Sequence, residues 1–288
     1  MISKSKLFVA GVLGVSMIFT GCNTSNKADA KSVLKSASEK MNTAKSYEMD
    51  MSMTMDASVA EQGTLSMKMI TDAKCMANPE FAFQMDSTID MDMDGESQSI
   101  EMQQYVVKED SQYVMYTGTM GFWGKTPLAG LEEAEAMMQN PTADIDAYLA
   151  GIEDISFSGE KSINGIDCQE IKVNLTKEYF DETLSDLNVL DTLGVDAASL
   201  DSTLSAMEGM EDLPIYYYVG KESEELVGCS MDMSELLKKV IEATAGETEN
   251  QFEDFKVVME LTFDNINGVA EVVLPEEAKT AQEVALTK

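Results

Sequence analysis

The chain has 288 residues, with 52 acidic side chains against 20 basic ones and a formal charge of −32. Every basic residue is Lys and there is no His, which excludes a Ser-His-Asp triad, an imidazole base and His-ligated zinc. So acidic a chain without Arg suits neither nucleic acid nor an electrostatic hold on an anionic membrane. At 44% apolar it can still bury a sizeable core.

Residues 1–21 read as a signal peptide. Lys4 and Lys6 form a positive start, and Leu7 to Phe19 is an apolar run too short for a mature membrane span. Phe19-Thr20-Gly21-Cys22 resembles a lipobox, with Phe19 standing where Leu is usual. Cys22 is then the lipidated first residue of the mature chain, anchored by two or three acyl chains because one alone holds only marginally. Loss of two lysines moves the charge from −32 to −34. Asn23 to Ala30 is polar and reads as a flexible tether, which with Cys22 makes a 22–30 segment.

Lys31 to Ser46 reads as a helix with Leu34, Ala37, Met41 and Ala44 on one stripe. The period then changes to two. Tyr47, Met49, Met51, Met53 and Met55 alternate with polar residues, as a half-buried strand requires. Leu65, Met67 and Met69 continue the pattern. So do Phe81, Phe83, Met85, Ile89, Met91 and Met93 up to a hairpin signal at Asp94-Gly95. Strands follow around 100–108 and 113–120. The stretches near 128–150 and 177–211 read as helical insertions. Strands at 155–160 and 169–175 flank Asn164-Gly165. A hairpin at 215–219 and 226–233, a helix around 234–243 and a long strand with Phe255, Val257, Met259, Leu261 and Phe263 on one face complete the chain, with 269–274 extending that strand. About ten strands, each with an apolar and an acidic face, suit an antiparallel sheet that only helices can cover. The expected fold class is α+β: a single domain over 31–288, a strongly curved antiparallel half-barrel wrapped around and capped by helices.

Helix, Met-rich strand and turn recur as a known layout. The run LKSASEKMNTAKSYEMDMSMTM (Leu34–Met55), the hairpin INGIDCQEIKV (Ile163–Val173) and the closing VVLPEEAKTA (Val272–Ala281) resemble the Gram-positive lipoproteins related to the LolA, LolB and LppX/LprG half-barrel group. The resemblance implies an apolar cavity that holds acyl chains, in proteins that carry lipoproteins or glycolipids.

The sequence holds 23 Met. Most fall on the in-facing phase of strands. They suit a packed core, a deformable wall for variable apolar partners, or a thioether site for Cu(I). The candidate cavity residues are Met49, Met51, Met53, Met55, Met67, Met69, Phe81, Phe83, Met85, Met91, Met231, Met233, Val257, Met259 and Leu261. Asp90, Asp92, Asp94 and Glu101 spell a calcium-loop expression, but its flanks read as strands rather than helices, so the expected reading is a wet hairpin face with no metal. Cys75, Cys168 and Cys229 are an odd number, which leaves at least one thiol free, and one disulfide is open. Cys75 and Cys229 lie in phase with apolar neighbours and suit buried packing. Trp123 follows the fifth strand as either a plug or an apolar rim. No nucleophile elbow occurs, and no catalysis or cofactor is expected. The sequence thus points to a lipid-anchored, extracytoplasmic protein of the cell membrane, monomeric, without nucleic-acid partners. It would bind a lipid or apolar small molecule in its cavity. The competing reading is an acidic interaction module with a fully packed core.

Overall fold

A computed structural model describes residues 23–59, 63–78, 80–110, 112–128, 149, 154–175, 213–244 and 252–283. Helix α1 (Asn23–Asn42) leads into two antiparallel meanders. The first runs β1 (Ser46–Val59), β2 (Gly63–Met76), β3 (Ala82–Met93), β4 (Glu96–Glu109), β5 (Gln112–Thr119) and β6 (Phe122–Leu128). The second runs β7 (Ile155–Ile163), β8 (Ile166–Leu175), β9 (Leu213–Gly220) and β10 (Leu226–Asp232), then helix α2 (Ser234–Thr244) and β11 (Phe252–Asp264). A 3-10 turn at Ala278–Thr280 precedes the short β12 (Gln282–Glu283). The spatial order is β12-β6-β5-β4-β3-β2-β1-β11-β10-β9-β8-β7. The two meanders meet along β1 and β11, whose register places Glu48 opposite Asp264 and Ala57 opposite Phe255.

Local chemistry explains the hairpins. Asp94 and Gly95 have φ of 55° and 84°, and Asn164 and Gly165 have 50° and 81°. Two central residues with positive φ make the turn whose twist matches the strands, and Asp, Asn and Gly adopt it readily. Asp94 also accepts the Thr64 N–H, tying this turn to the start of β2. Asp232 accepts the Ser234 N–H and caps α2.

The main core lies on one face of the sheet, and a smaller cluster of Tyr105, Val114, Tyr116, Val272 and Ala278 lies on the other. Ala30, Leu34, Ala37 and Met41 of α1 are fully buried in the main core, together with Tyr47, Cys75, Phe81, Val106, Ile155, Ile171, Val173, Val219 and Phe263. The expected α1 stripe is therefore the packed one. Lys40 at the helix end reaches Glu224 and the Ser223 carbonyl, and Asn267 accepts the Lys45 N–H while donating its own N–H to the Ser46 carbonyl.

Several boundaries differ from expectation. The described sheet has twelve strands, not ten. β6 escapes a period-two reading because Gly124, Lys125 and Pro127 interrupt its apolar face. Pro127 is tolerated because β6 is paired on its outer side only at Gly124 and Lys125. β12 pairs with β6 in parallel, the one departure from an antiparallel sheet among the described strands. Residues 269–274 are not a strand: Asn265 and Asn267, with φ of 49° and 62°, turn the chain away after β11. Asn23 to Ala30, read as a tether, forms the first turns of α1, and Ala30 is buried. The insertions expected near 128–150 and 177–211 lie outside the described residues, apart from Leu128, which ends β6, and the buried Leu149.

Candidate ligand-binding face

Cross-strand register assembles the predicted residues into rows. Met231, Met259, Met53 and Met69 stand opposite one another across β10, β11, β1 and β2. Val257, Met55, Met67 and Met91 form the next row across β11, β1, β2 and β3. Leu261 and Met51 lie on the other side of the first row, followed by Phe263, Met49, Ala73 and Met85. Opposed side chains on one face lie within reach of each other. The period-two reading of the sequence therefore brings Met49, Met51, Met53, Met55, Met67, Met69, Phe83, Met85, Met91, Met231, Val257, Met259 and Leu261 to one continuous face.

Two predicted residues stand apart. Phe81 precedes β3 and is buried in the core, edge-on to Tyr113 with ring centroids 5.8 Å apart. Met233 sits at the junction of β10 and α2, where its N–H donates to the Val257 carbonyl and its carbonyl accepts the Leu237 N–H.

Burial divides the face lengthwise. At the α1 end Tyr47, Cys75 and Phe263 are buried, with Tyr47 and Phe263 edge-on at 5.9 Å. Further along, Met53, Met55, Met67, Met69 and Met91 are only half-buried, and Met93 is 62% exposed. A recess of about 420 Å³ lies at this open end, lined by Leu65, Met91, Met93, Asp94, Glu96 and Gln98. Between the two zones sits a polar pair that sequence reading missed. Thr71 and Ser87 are buried, directly opposed, and joined hydroxyl to hydroxyl at 2.9 Å. Each satisfies the other, so the pair can interrupt an apolar face without an orphaned group. Its signal was the break in the Met alternation at Thr71 and Ser87.

Residues 29–283 match the family described as "Family of unknown function (DUF6612)". The chain belongs to that family. No curated protein matches it. Among solved structures, LprF from Mycobacterium bovis is similar over 87% of this chain and 98% of its own, at 13% identity and a TM-score of 0.47. The lipoprotein LppX from Mycobacterium tuberculosis is similar over 85% and 99%, at 13% identity and 0.42. A LolA superfamily protein from Nitrosomonas europaea is similar over 86% and 96%, at 10% identity and 0.20. At such identities and scores these are likenesses of layout.

The other titratable candidates of this DUF6612 chain serve the scaffold. Cys75, Cys168 and Cys229 are not joined in a disulfide. Burial pushes the Cys229 thiol up to about 11 and raises Cys75 as well, so neither is a ready thiolate. Tyr47 is raised by burial, with Cys75 beside it. The calcium-loop residues lie on the β3–β4 hairpin. Asp90 accepts from Ser99, Asp92 from Ser97 and the Gly95 N–H, and Asp94 from Thr64. Among the described residues no three His, Cys, Asp or Glu side chains are placed to hold a metal ion. Trp123 packs inward on the opposite sheet face: it stands opposite Gly118 and tilts against Tyr105 at 6.0 Å, while its neighbour Phe122 is 82% exposed.

Proposed function

We propose that this protein is a lipid-anchored, extracytoplasmic lipoprotein that binds a lipid or other apolar ligand non-covalently on its Met-rich face. The observation that carries the reading is the open end of that face. Opposed rows of thioethers are half-buried there, while Tyr47, Cys75 and Phe263 of the same face are buried in one cluster with the α1 stripe. Unbranched, polarizable Met side chains re-pack against partners of variable shape. Each buried CH2 contributes about 0.8 kcal/mol, so an acyl chain of about 16 carbons gains on the order of 10 kcal/mol before ordering costs. Such binding needs no polar motif and no catalytic group.

The anchor rests on the lipobox-like Cys22, which lies outside the described residues. Among those described, no helix is long and apolar enough to cross a membrane. The test is native mass spectrometry of residues 23–288, produced without detergent, before and after incubation with membrane lipids. A stoichiometric adduct that extracts as a lipid is expected. A mass that stays apo throughout would overturn the reading and favour an interaction module with a packed core.

A further inference from the structure

The sheet has a step on its first meander. β3 and β4 pair from Met93 and Glu96 onward, but β5 joins β4 only from Met102, which faces Thr119. Glu96 to Glu101 therefore have no strand on their outer side among the described residues. Glu96, Ser97, Gln98, Ser99 and Glu101 are exposed. In an antiparallel hairpin closed by a two-residue turn, Met93 and Glu96 form a hydrogen-bonded pair, and alternate residues direct their backbone groups the other way. Ser97, Ser99 and Glu101 thus point both N–H and C=O outward, as a template for another strand.

A groove of about 650 Å³ lies across the acidic face of β2, β3 and β4 and reaches this edge at Ser99 and Glu101. One wall is Ser99 to Gln103 of β4, and the other is the β5–β6 turn at Met120 and Gly121, with Trp123 behind it. Asp72, Asp86 and Glu101 supply carboxylates, and Ile70, 37% exposed, supplies an apolar patch. The turn has unusual chemistry. Met120 holds φ of 51°, where Asn, Asp or Gly is usual, and is 75% exposed next to Phe122. A strained, apolar turn is thereby placed over a free strand edge of negative sign.

We propose that the free edge of β4 is a docking site for an extended, cationic segment of a partner protein, which adds to the sheet as a further strand. Backbone pairing to Ser97, Ser99 and Glu101 supplies affinity, as in other strand-addition complexes. The carboxylates select Lys or Arg side chains, and Met120 and Phe122 receive an apolar one. The sign of the groove disfavours the alternative occupant, an anionic bilayer surface.

The probe is a short fluorescein-labelled peptide of alternating lysine and valine, titrated into residues 23–288 and read by anisotropy. Saturable binding is expected. N-methylation of alternate peptide amides removes edge hydrogen bonds and should weaken it about tenfold. Ser99→Pro removes an outward N–H and leaves the backbone bonds of the β3–β4 ladder, losing only the Ser99 hydroxyl bond to Asp90, and should weaken it to a similar extent. Glu101→Lys should weaken it too, and serves should Ser99→Pro fail to give a normal melting curve. Equal affinity for the N-methylated or a glutamate–valine peptide, or no saturable binding, would overturn the proposal. So would Phe122-dependent sedimentation with phosphatidylglycerol vesicles without peptide binding. Lipid uptake is a separate readout, so the outcome here is independent of the ligand-face reading.

Discussion

Gly118 and Trp123 illustrate how much one missing side chain can set. A Cβ at Gly118 would meet the indole ring at 2.7 Å. Gly118→Ala should displace the ring and destabilise the fold by about 1–3 kcal/mol. Because Trp123 is the single Trp, a red shift in emission checks the first effect and urea unfolding the second. Asp50 offers a pH test. Burial, then the facing Asp72 and the nearby Asp264 and Glu48, raise its carboxyl above the ordinary 3.8. The folded state then binds more protons than the unfolded one, so stability falls as pH rises from 3.8 through the raised value. Asp50→Asn should raise Tm at pH 7, and the gain should shrink as pH falls through that window, as differential scanning fluorimetry can show. At this scale the sequence was legible wherever period two applied, as it was for Met53 and Met69. Phe81 and Met233 flank strands rather than belong to them, so alternation alone does not place them. Nor did it reveal the Thr71–Ser87 pair, whose meaning depends on β2 and β3 lying in one register.

Elements carry the next level of specification. α1 contributes little to the sheet except its buried stripe, so Leu34→Ala, at a site with no exposure, should cost about 3 kcal/mol in urea unfolding. The thioether rows are an element-scale feature because each row draws on three or four strands. Met53→Asp combined with Met69→Asp places two carboxylates in direct opposition. Lipid uptake should be abolished, and normal unfolding with unchanged uptake would sink the ligand-face assignment. Hairpins at Asp94-Gly95 and Asn164-Gly165 were legible because those residue types accept positive φ. The Met120-Gly121 turn was not, since Met is a poor signal for it, and β6 was hidden with it.

For the whole molecule, charge and topology matter most. Acidic residues outnumber basic ones 52 to 20, and carboxylates such as Asp50, Asp72 and Asp86 face each other on adjacent strands. Like charges so placed repel. Tm should therefore rise from about 10 mM to about 500 mM NaCl, as the screening length falls below the spacing of strands that are not direct neighbours. The class of sheet was legible from alternation, but the strand order was not, because pairing β1 with β11 leaves no local trace in either strand. That seam has a kinetic consequence. Each meander can form from neighbours in the chain, yet the junction of Glu48 with Asp264 must wait for almost the entire polypeptide. Closing so long a loop is slow, on the order of milliseconds to seconds for sheets dominated by distant pairings. During synthesis, β1 presents an unpaired edge and a bare thioether row until β11 arrives, so this is the interval in which the chain most needs protection from aggregation.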